Sequence, residues 1–168
     1  YFALNKAPRL TSYGLNTGAI MGFTNTLLDV LKNQQPSHIA VVFDTDAPKQ
    51  RHIDFESYQA HREKMPEDLS AAIPYNFRLI EGFDIPIITK DGYEADDIIG
   101  TLAKKAEQKG YTVYCMTPDK AFGQLVSENI FIYKPARTGN GAETLGVPEI
   151  LEKWESKNQL PVLDLLVL

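Results

Sequence analysis

Three carboxylates stand within four residues of one another, at Glu94, Asp96 and Asp97. An apolar pattern of helical spacing follows, which predicts a helix that carries the acids in its first turn, runs to about Lys109 and stops at Gly110. The partial positive charge of the unpaired N–H groups in a first turn explains one or two of these acids. Three together repel each other unless a cation lies between them. This stretch alone therefore leaves helix capping and a site for a hard divalent cation equally open.

Two further acids follow apolar runs of the kind typical of buried parallel strands. Asp44 closes the run 38–43, and Asp119 comes soon after the run 111–116. Ligands of open parallel sheets bind beyond the carboxyl ends of the strands, and both acids fall there. An Asp after a strand is also a common turn residue, so neither one decides the matter alone.

The elements that must position these acids alternate between helix and strand. This order predicts an α/β domain of three layers, α/β/α, with a mostly parallel central sheet and helices on both faces. The Pro74 ring is expected to kink the second helix. The predicted helices are 17–31, 66–82, 94–109, 121–126, 147–154 and 160–168, the predicted strands are 38–43, 85–89, 111–116 and 130–133, and 136–142 is predicted to be a flexible loop.

Taken together, the five acids are expected at one edge of one sheet. Such a site suits phosphodiester hydrolysis, because two divalent ions about 4 Å apart activate the attacking water and stabilise the leaving oxygen. No Ser-His-Asp or Cys-His pattern competes, and no Walker-type glycine-rich loop supports hydrolysis of a nucleoside triphosphate. The predicted metal ligands are Asp44, Glu94, Asp96, Asp97 and Asp119.

Composition limits the other possibilities. The 168 residues suffice for one domain with a core, and the net charge of −5 excludes a uniformly basic nucleic-acid binder but not a local basic groove. Cys115 is the only cysteine, so there is no intramolecular disulfide and no cysteine zinc site, and its apolar neighbours predict an inert buried thiol. No signal peptide or membrane span is visible. We expect a cytoplasmic protein.

The segment 45–66 combines basic and aromatic side chains, among them Arg51, Tyr58, Arg62 and Lys64. Its acidic residues dilute the charge, so composition alone favours an ordinary solvated helix. Its position argues for contacts with phosphates, since it leaves the sheet directly after Asp44, at the ligand-binding edge.

These motifs resemble the 5′-to-3′ exonucleases of the bacterial polymerase I type, in the flap endonuclease family. The stretch Gly92–Asp97 is similar to the family's G-x-E-A-D-D motif, and 117–126 to T-x-D-K-D-x-x-Q-L. Residues 15–23 resemble the first helix, 51–69 the helical arch, and 146–149 the entry to a C-terminal DNA-binding region, assigned to 146–168. The resemblance covers nearly the whole chain.

The resemblance implies a PIN-like fold, two Mg²⁺ or Mn²⁺ ions, and cleavage of a 5′ flap or strand threaded under an arch, with 5′-flap or nicked-duplex DNA as the partner. It implies that the five acids bind metal directly or through water, and that DNA is contacted by Arg51, Tyr58, Arg62 and Lys64. It also implies primer removal and repair in a bacterial cytoplasm, at the nucleoid, with a polymerase domain on the same chain and no membrane association.

This sequence departs from the family's pattern in ways that bear on activity. Ala121 stands where the family has a second Asp, and Gln59 where an arch lysine is common. The family's first Asp and its later G-D-x-x-D-N motif are absent, so we expect a nuclease core truncated at both ends that cleaves slowly or not at all. The alternatives are a non-catalytic DNA-binding module, a PIN-type ribonuclease and a phosphoacceptor signalling domain; the arch-like insertion argues against the ribonuclease, and the poor acidic pair of Asp44 and Asp46 against the last.

Overall fold

The computed structural model describes residues 9–45, 47, 65–136 and 141–155. The chain divides into two compact units, Tyr1–Ala95 and Asp96–Leu168. None of the described helices is both long and apolar enough to cross a membrane. In chain order the elements are α1 (Gly18–Asn33), β1 (Val41–Val42), α2 (Glu67–Gly82), β2 (Ile87–Ile88), α3 (Ala95–Gln108), β3 (Val113–Cys115), a 3-10 helix (Lys120–Leu125), β4 (Ile130–Lys134), β5 (Glu143–Leu145) and α4 (Val147–Glu155).

The first unit packs α1 and α2 with a short parallel sheet. β1 pairs with β2 in the register Val41 to Ile87 and Val42 to Ile88. Helix α2 begins after Pro66 and ends at Gly82, as predicted, and it contains Pro74. The core of this unit is centred on three buried apolar residues, Leu27, Ile80 and Ile85.

The second unit packs α3, the 3-10 helix and α4 with a three-stranded sheet in the order β3-β4-β5. β3 and β4 are parallel, with Val113 opposite Ile130, and β4 and β5 are antiparallel, with Ile132 opposite Leu145. Alternate residues of the strands face the core, as the period of two requires. That core is formed by Ala103, Cys115, Phe122, Ile130, Ile132, Leu145 and Ile150.

Several sequence expectations need correction. Among the described residues, the hydrogen-bonded strands form a two-stranded sheet of β1 and β2 and a three-stranded sheet of β3, β4 and β5. β1 covers only two residues of the predicted 38–43, and His38, expected at the start of a buried strand, is exposed. β5 is absent from the sequence prediction, because Glu143 and Thr144 are exposed and only Leu145 is apolar and buried. The predicted helix 160–168 and the loop residues 137–140 lie outside the described residues.

Candidate metal centre

Asp44 lies beyond the carboxyl end of β1, as predicted. The pairing with β2 continues to Phe43, whose N–H donates to the carbonyl of Ile88 at 3.1 Å. Asp44 is exposed, and its Oδ1 accepts a hydrogen bond from the backbone N–H of Ala95 at 3.0 Å. Ala95 is the first residue of α3. Asp44 therefore satisfies one of the unpaired donors at the start of this helix, across 51 residues of sequence.

The acidic motif straddles the beginning of α3. Asp96 and Asp97 lie in its first turn and are half-buried, which confirms their predicted placement. Glu94 is predicted in the same turn, but the helix begins one residue later, at Ala95. At this helix start the N–H of Ala95 donates to the carboxylate of Asp44, which belongs to another element.

Asp119 follows β3, as predicted, and starts the 3-10 helix. Its Oδ1 accepts from the N–H of Ala121 at 2.8 Å, and its own N–H donates to Thr117 Oγ1 at 3.1 Å. Thr117 is buried and Asp119 is exposed. The carboxylate thus caps the 3-10 helix, and two local hydrogen bonds fix the position of Asp119.

Within the second unit, α3 and the 3-10 helix approach closely. A Cβ atom added at Gly100 would lie 3.1 Å from Leu125 Cδ1, tighter than an ordinary contact. Ile99 and Leu125 both pack against the core of the unit. The helix that carries Asp96 and Asp97 in its first turn therefore packs against the short helix that Asp119 caps.

The five predicted ligands fall in both units, with Asp44 and Glu94 in the first and Asp96, Asp97 and Asp119 in the second. In neither unit do the described residues bring three or more His, Cys, Asp or Glu side chains into a group that would hold a metal ion. The donor chemistry nevertheless fits a hard divalent ion, since all five side chains are carboxylates. Joint coordination by the five acids stays a prediction.

The predicted DNA contacts Arg51, Tyr58, Arg62 and Lys64 lie outside the described residues, as does most of the arch-like segment 45–66. A basic and aromatic pair that the sequence reading passed over does lie within them. Lys90 Nζ stands 4.7 Å from the centroid of the Tyr93 ring. In the sequence this pair is only a lysine and a tyrosine three residues apart, and that spacing by itself predicts no site.

Among the residues that the structure describes, the clear pKa shifts belong to Glu107, Cys115 and Glu143 in the second unit. A hydrogen bond from Ser127, together with Lys104, lowers the pKa of Glu107. Hydrogen bonds from Lys153 at 2.9 Å and Lys134 at 3.3 Å lower the pKa of Glu143. The two ion pairs of Glu143 join β5 to β4 and to α4, whereas the pair of Lys104 and Glu107 lies within α3.

Burial raises the pKa of the Cys115 thiol. Only 4% of this residue is exposed. The predicted burial of this thiol is confirmed, and its inertness stays a prediction.

Comparison with known proteins gives the family. Residues 1–155 match the model of the family described as "5′-3′ exonuclease, N-terminal resolvase-like domain". The chain belongs to this family. It is 40% identical over 135 residues to a 5′-3′ exonuclease of Aquifex aeolicus, covering 80% of this chain and 46% of the relative. It is 38% identical over 133 residues to a DNA polymerase I of Caldicellulosiruptor bescii, covering 79% of this chain and 15% of the polymerase.

The fold has a counterpart among solved structures. A bacteriophage T5 flap endonuclease, in a pseudo-enzyme–product complex with DNA and metal ions, superposes with a TM-score of 0.59 at 16% identity. The match covers 82% of this chain and 52% of the T5 chain. The predicted α/β, PIN-like fold is thereby confirmed. This family member spans about half the length of the Aquifex exonuclease and about a sixth of the polymerase.

Proposed function

We propose that this chain forms the core of a Mg²⁺- or Mn²⁺-dependent 5′-3′ exonuclease and flap endonuclease that hydrolyses phosphodiester bonds in DNA. The observation that carries the proposal is the family match over residues 1–155, which includes all five acids. The DNA and metal ions in the T5 complex support the substrate and the cofactor. The polymerase relative supports a polymerase domain on the same chain and a place at the bacterial nucleoid, in the cytoplasm.

Different local structures position the proposed ligands. Asp44 is fixed by Ala95 and Asp119 by Ala121, while Asp97 lies in a first helical turn, where negative charge is favoured. Glu94 would add a ligand directly before that turn and Asp96 one within it, directly or through water. Two ions bound there supply an activated water and neutralise charge on the phosphate.

A charge-removing substitution at Asp44 gives the sharpest test. The variant Asp44→Asn keeps a side-chain acceptor for the Ala95 N–H and loses the negative charge, so the start of α3 stays capped. In the full-length protein, we expect cleavage of a labelled 5′-flap duplex in Mg²⁺ to fall at least 100-fold, and in this chain we expect an unchanged unfolding midpoint. Asp29→Asn is the matched control, since Asp29 accepts a hydrogen bond from Asn33 within α1 and is not a proposed ligand. The expected fall in the cleavage rate reflects the loss of several kcal/mol of charge stabilisation in the transition state, because each roughly 1.4 kcal/mol changes the rate tenfold.

Metal binding is measured separately. Titration calorimetry with Mg²⁺ should show binding to the parent and none to the double variant Glu94→Ala, Asp97→Ala. Because like charges are removed, the double variant should be no less stable than the parent in EDTA. Equal Mg²⁺ binding by both would contradict the ligand assignment, and equal cleavage by Asp44→Asn and the parent would contradict the nuclease mechanism.

The predicted arch residues are proposed to contact phosphates and bases. Replacing Arg51 and Arg62 with Ala should weaken binding of flap DNA and lower the slope of log K against log salt by about one for each lost phosphate contact. A slope equal to that of the parent would show that these arginines only solvate the surface.

Ala121 favours one second candidate, a DNA-binding module without catalysis. Ala121 is exposed, and its N–H is held by the Asp119 carboxylate, so a site carrying one acid fewer than the family pattern folds as a capped turn. Flap binding with no cleavage in Mg²⁺ or Mn²⁺ would favour this candidate over the nuclease.

A further inference from the structure

The loop between β2 and α3 presents an exposed lysine over an exposed tyrosine. The N–H of Tyr93 donates to the carbonyl of Lys90 at 3.3 Å and closes a turn, and Gly92 provides the positive φ of 84°. This turn places Lys90 Nζ 4.7 Å from the centre of the Tyr93 ring, within the range of a cation–π contact. Tyr93 is 49% exposed, which leaves part of its ring open to a ligand.

The position of this pair separates it from an ordinary surface contact. β1 and β2 are parallel, so their carboxyl ends share one edge, where Asp44 follows β1 and the loop of Lys90 and Tyr93 follows β2. The hydrogen bond from Ala95 to Asp44 fixes the end of the loop two residues after Tyr93. The pair therefore flanks two of the proposed metal ligands, Asp44 and Glu94, in the same unit.

We propose that Lys90 and Tyr93 form a substrate subsite for single-stranded nucleic acid beside the carboxylates; this rests on the proposed nuclease function. The Tyr93 ring stacks on the base next to the reacting phosphate, and Lys90 neutralises a neighbouring phosphate. A ring and an ammonium group in contact match the alternation of bases and phosphates along one strand. Stacking tolerates every base, so the subsite orients the strand without reading its sequence.

Binding of a 5′-flap duplex carrying 2-aminopurine in the flap tests the subsite, in Ca²⁺ to separate binding from cleavage. Tyr93→Leu should weaken binding about 5- to 100-fold and relieve the quenching of 2-aminopurine, while Tyr93→Phe keeps both. Lys90→Gln should lower the salt slope by about 0.7, as expected for one phosphate contact to a single strand. Tyr111→Leu and Lys109→Gln are the controls, an exposed tyrosine and lysine that precede β3 at its amino end.

The outcomes separate the two proposals. If the parent cleaves flaps but Tyr93→Leu and Lys90→Gln bind with its affinity, quenching and salt slope, the subsite is wrong and the nuclease assignment stands. If the parent binds no nucleic acid, both proposals are overturned. Thermal melting checks the fold of each variant, and Tyr93→Phe and Lys90→Gln keep the test decisive if Tyr93→Leu unfolds.

Discussion

The side-chain amide of Asn16 donates a hydrogen bond to Asp68 Oδ2 at 3.1 Å, across 52 residues of sequence. The Asn16 side chain also accepts from the N–H of Gly18 at 3.0 Å, and the residue is only 4% exposed. Gly18 begins α1, and Asp68 lies in the first turn of α2. One buried amide thus joins the beginnings of α1 and α2.

Removing this amide should destabilise the chain. Asn16→Ala is expected to lower the free energy of unfolding by about 1–3 kcal/mol, because buried hydrogen-bonding groups lose a partner. Asn33→Ala is the matched control, since Asn33 makes an exposed bond to Asp29 on α1, and its loss should cost less than about 0.5 kcal/mol. Urea unfolding followed by circular dichroism measures both, and equal losses would show that burial of Asn16 adds nothing.

Asn76 should be better replaced by an apolar residue. It lies on the buried face of α2 with Ala72 and Ile80, and its Oδ1 is buried with no hydrogen-bond donor among the described residues. Asn76→Leu is expected to raise the free energy of unfolding by about 1 kcal/mol, since an unsatisfied buried carbonyl is costly. The same substitution at exposed Asn25 on α1 controls for helix propensity and should change stability little. A destabilised Asn76→Leu would mean that the amide has a partner in solution.

The ion pairs of Glu143 make stability depend on pH. Lys153 and Lys134 lower its pKa in the folded state, so its contribution is complete above the unfolded-state pKa of about 4.3 and is lost as pH falls through the lower folded-state value. Glu143→Gln should therefore flatten the decline of stability in acid, by less than about 1 kcal/mol because the pairs are exposed. Unfolding titrations between pH 7 and the acid transition measure this. Lys153→Met should act in the same direction and Lys109→Met should not; equal slopes in all variants would contradict the assignment.

Ala121→Asp should tighten metal binding more than it restores cleavage. Ala121 is exposed and lies two residues from Asp119, so the new carboxylate adds charge beside a proposed ligand. We expect Mg²⁺ affinity to rise about tenfold, equivalent to about 1.4 kcal/mol. Ala142→Asp adds the same charge at another exposed position of the unit and controls for a general electrostatic effect. Equal affinity gains in both variants would remove any special role for position 121.

Elements set by local patterns were predictable from the sequence. Helix α2 begins after Pro66 and ends at Gly82, as expected. Gly110 has a φ of +83° and follows the end of α3. Placement of Asp44 and Asp119 after their strands followed from the apolar runs before them. These features depend on neighbours along the chain, which a sequence displays directly.

Contacts between distant residues were not predictable in the same way. The α3 cap comes from Asp44, the tie between helices from Asn16, and β5 from an antiparallel pairing with only one buried apolar side chain. The strands are shorter than the apolar runs that predicted them for a related reason. The number of residues in a strand depends on pairing with a neighbouring strand, and not on the length of the apolar run. Such partners are chosen by packing in three dimensions.

Cys115 can report transient opening of the core of the second unit in the unmodified chain. The thiol is the only one in the sequence, it is buried in the core of the second unit, and its raised pKa suppresses the reactive thiolate. A disulfide reagent in solution can therefore modify the native chain only through molecules in which that core has opened. The modification rate, followed over increasing reagent and urea, would time how often the second unit exposes its interior, with no label added and no residue changed.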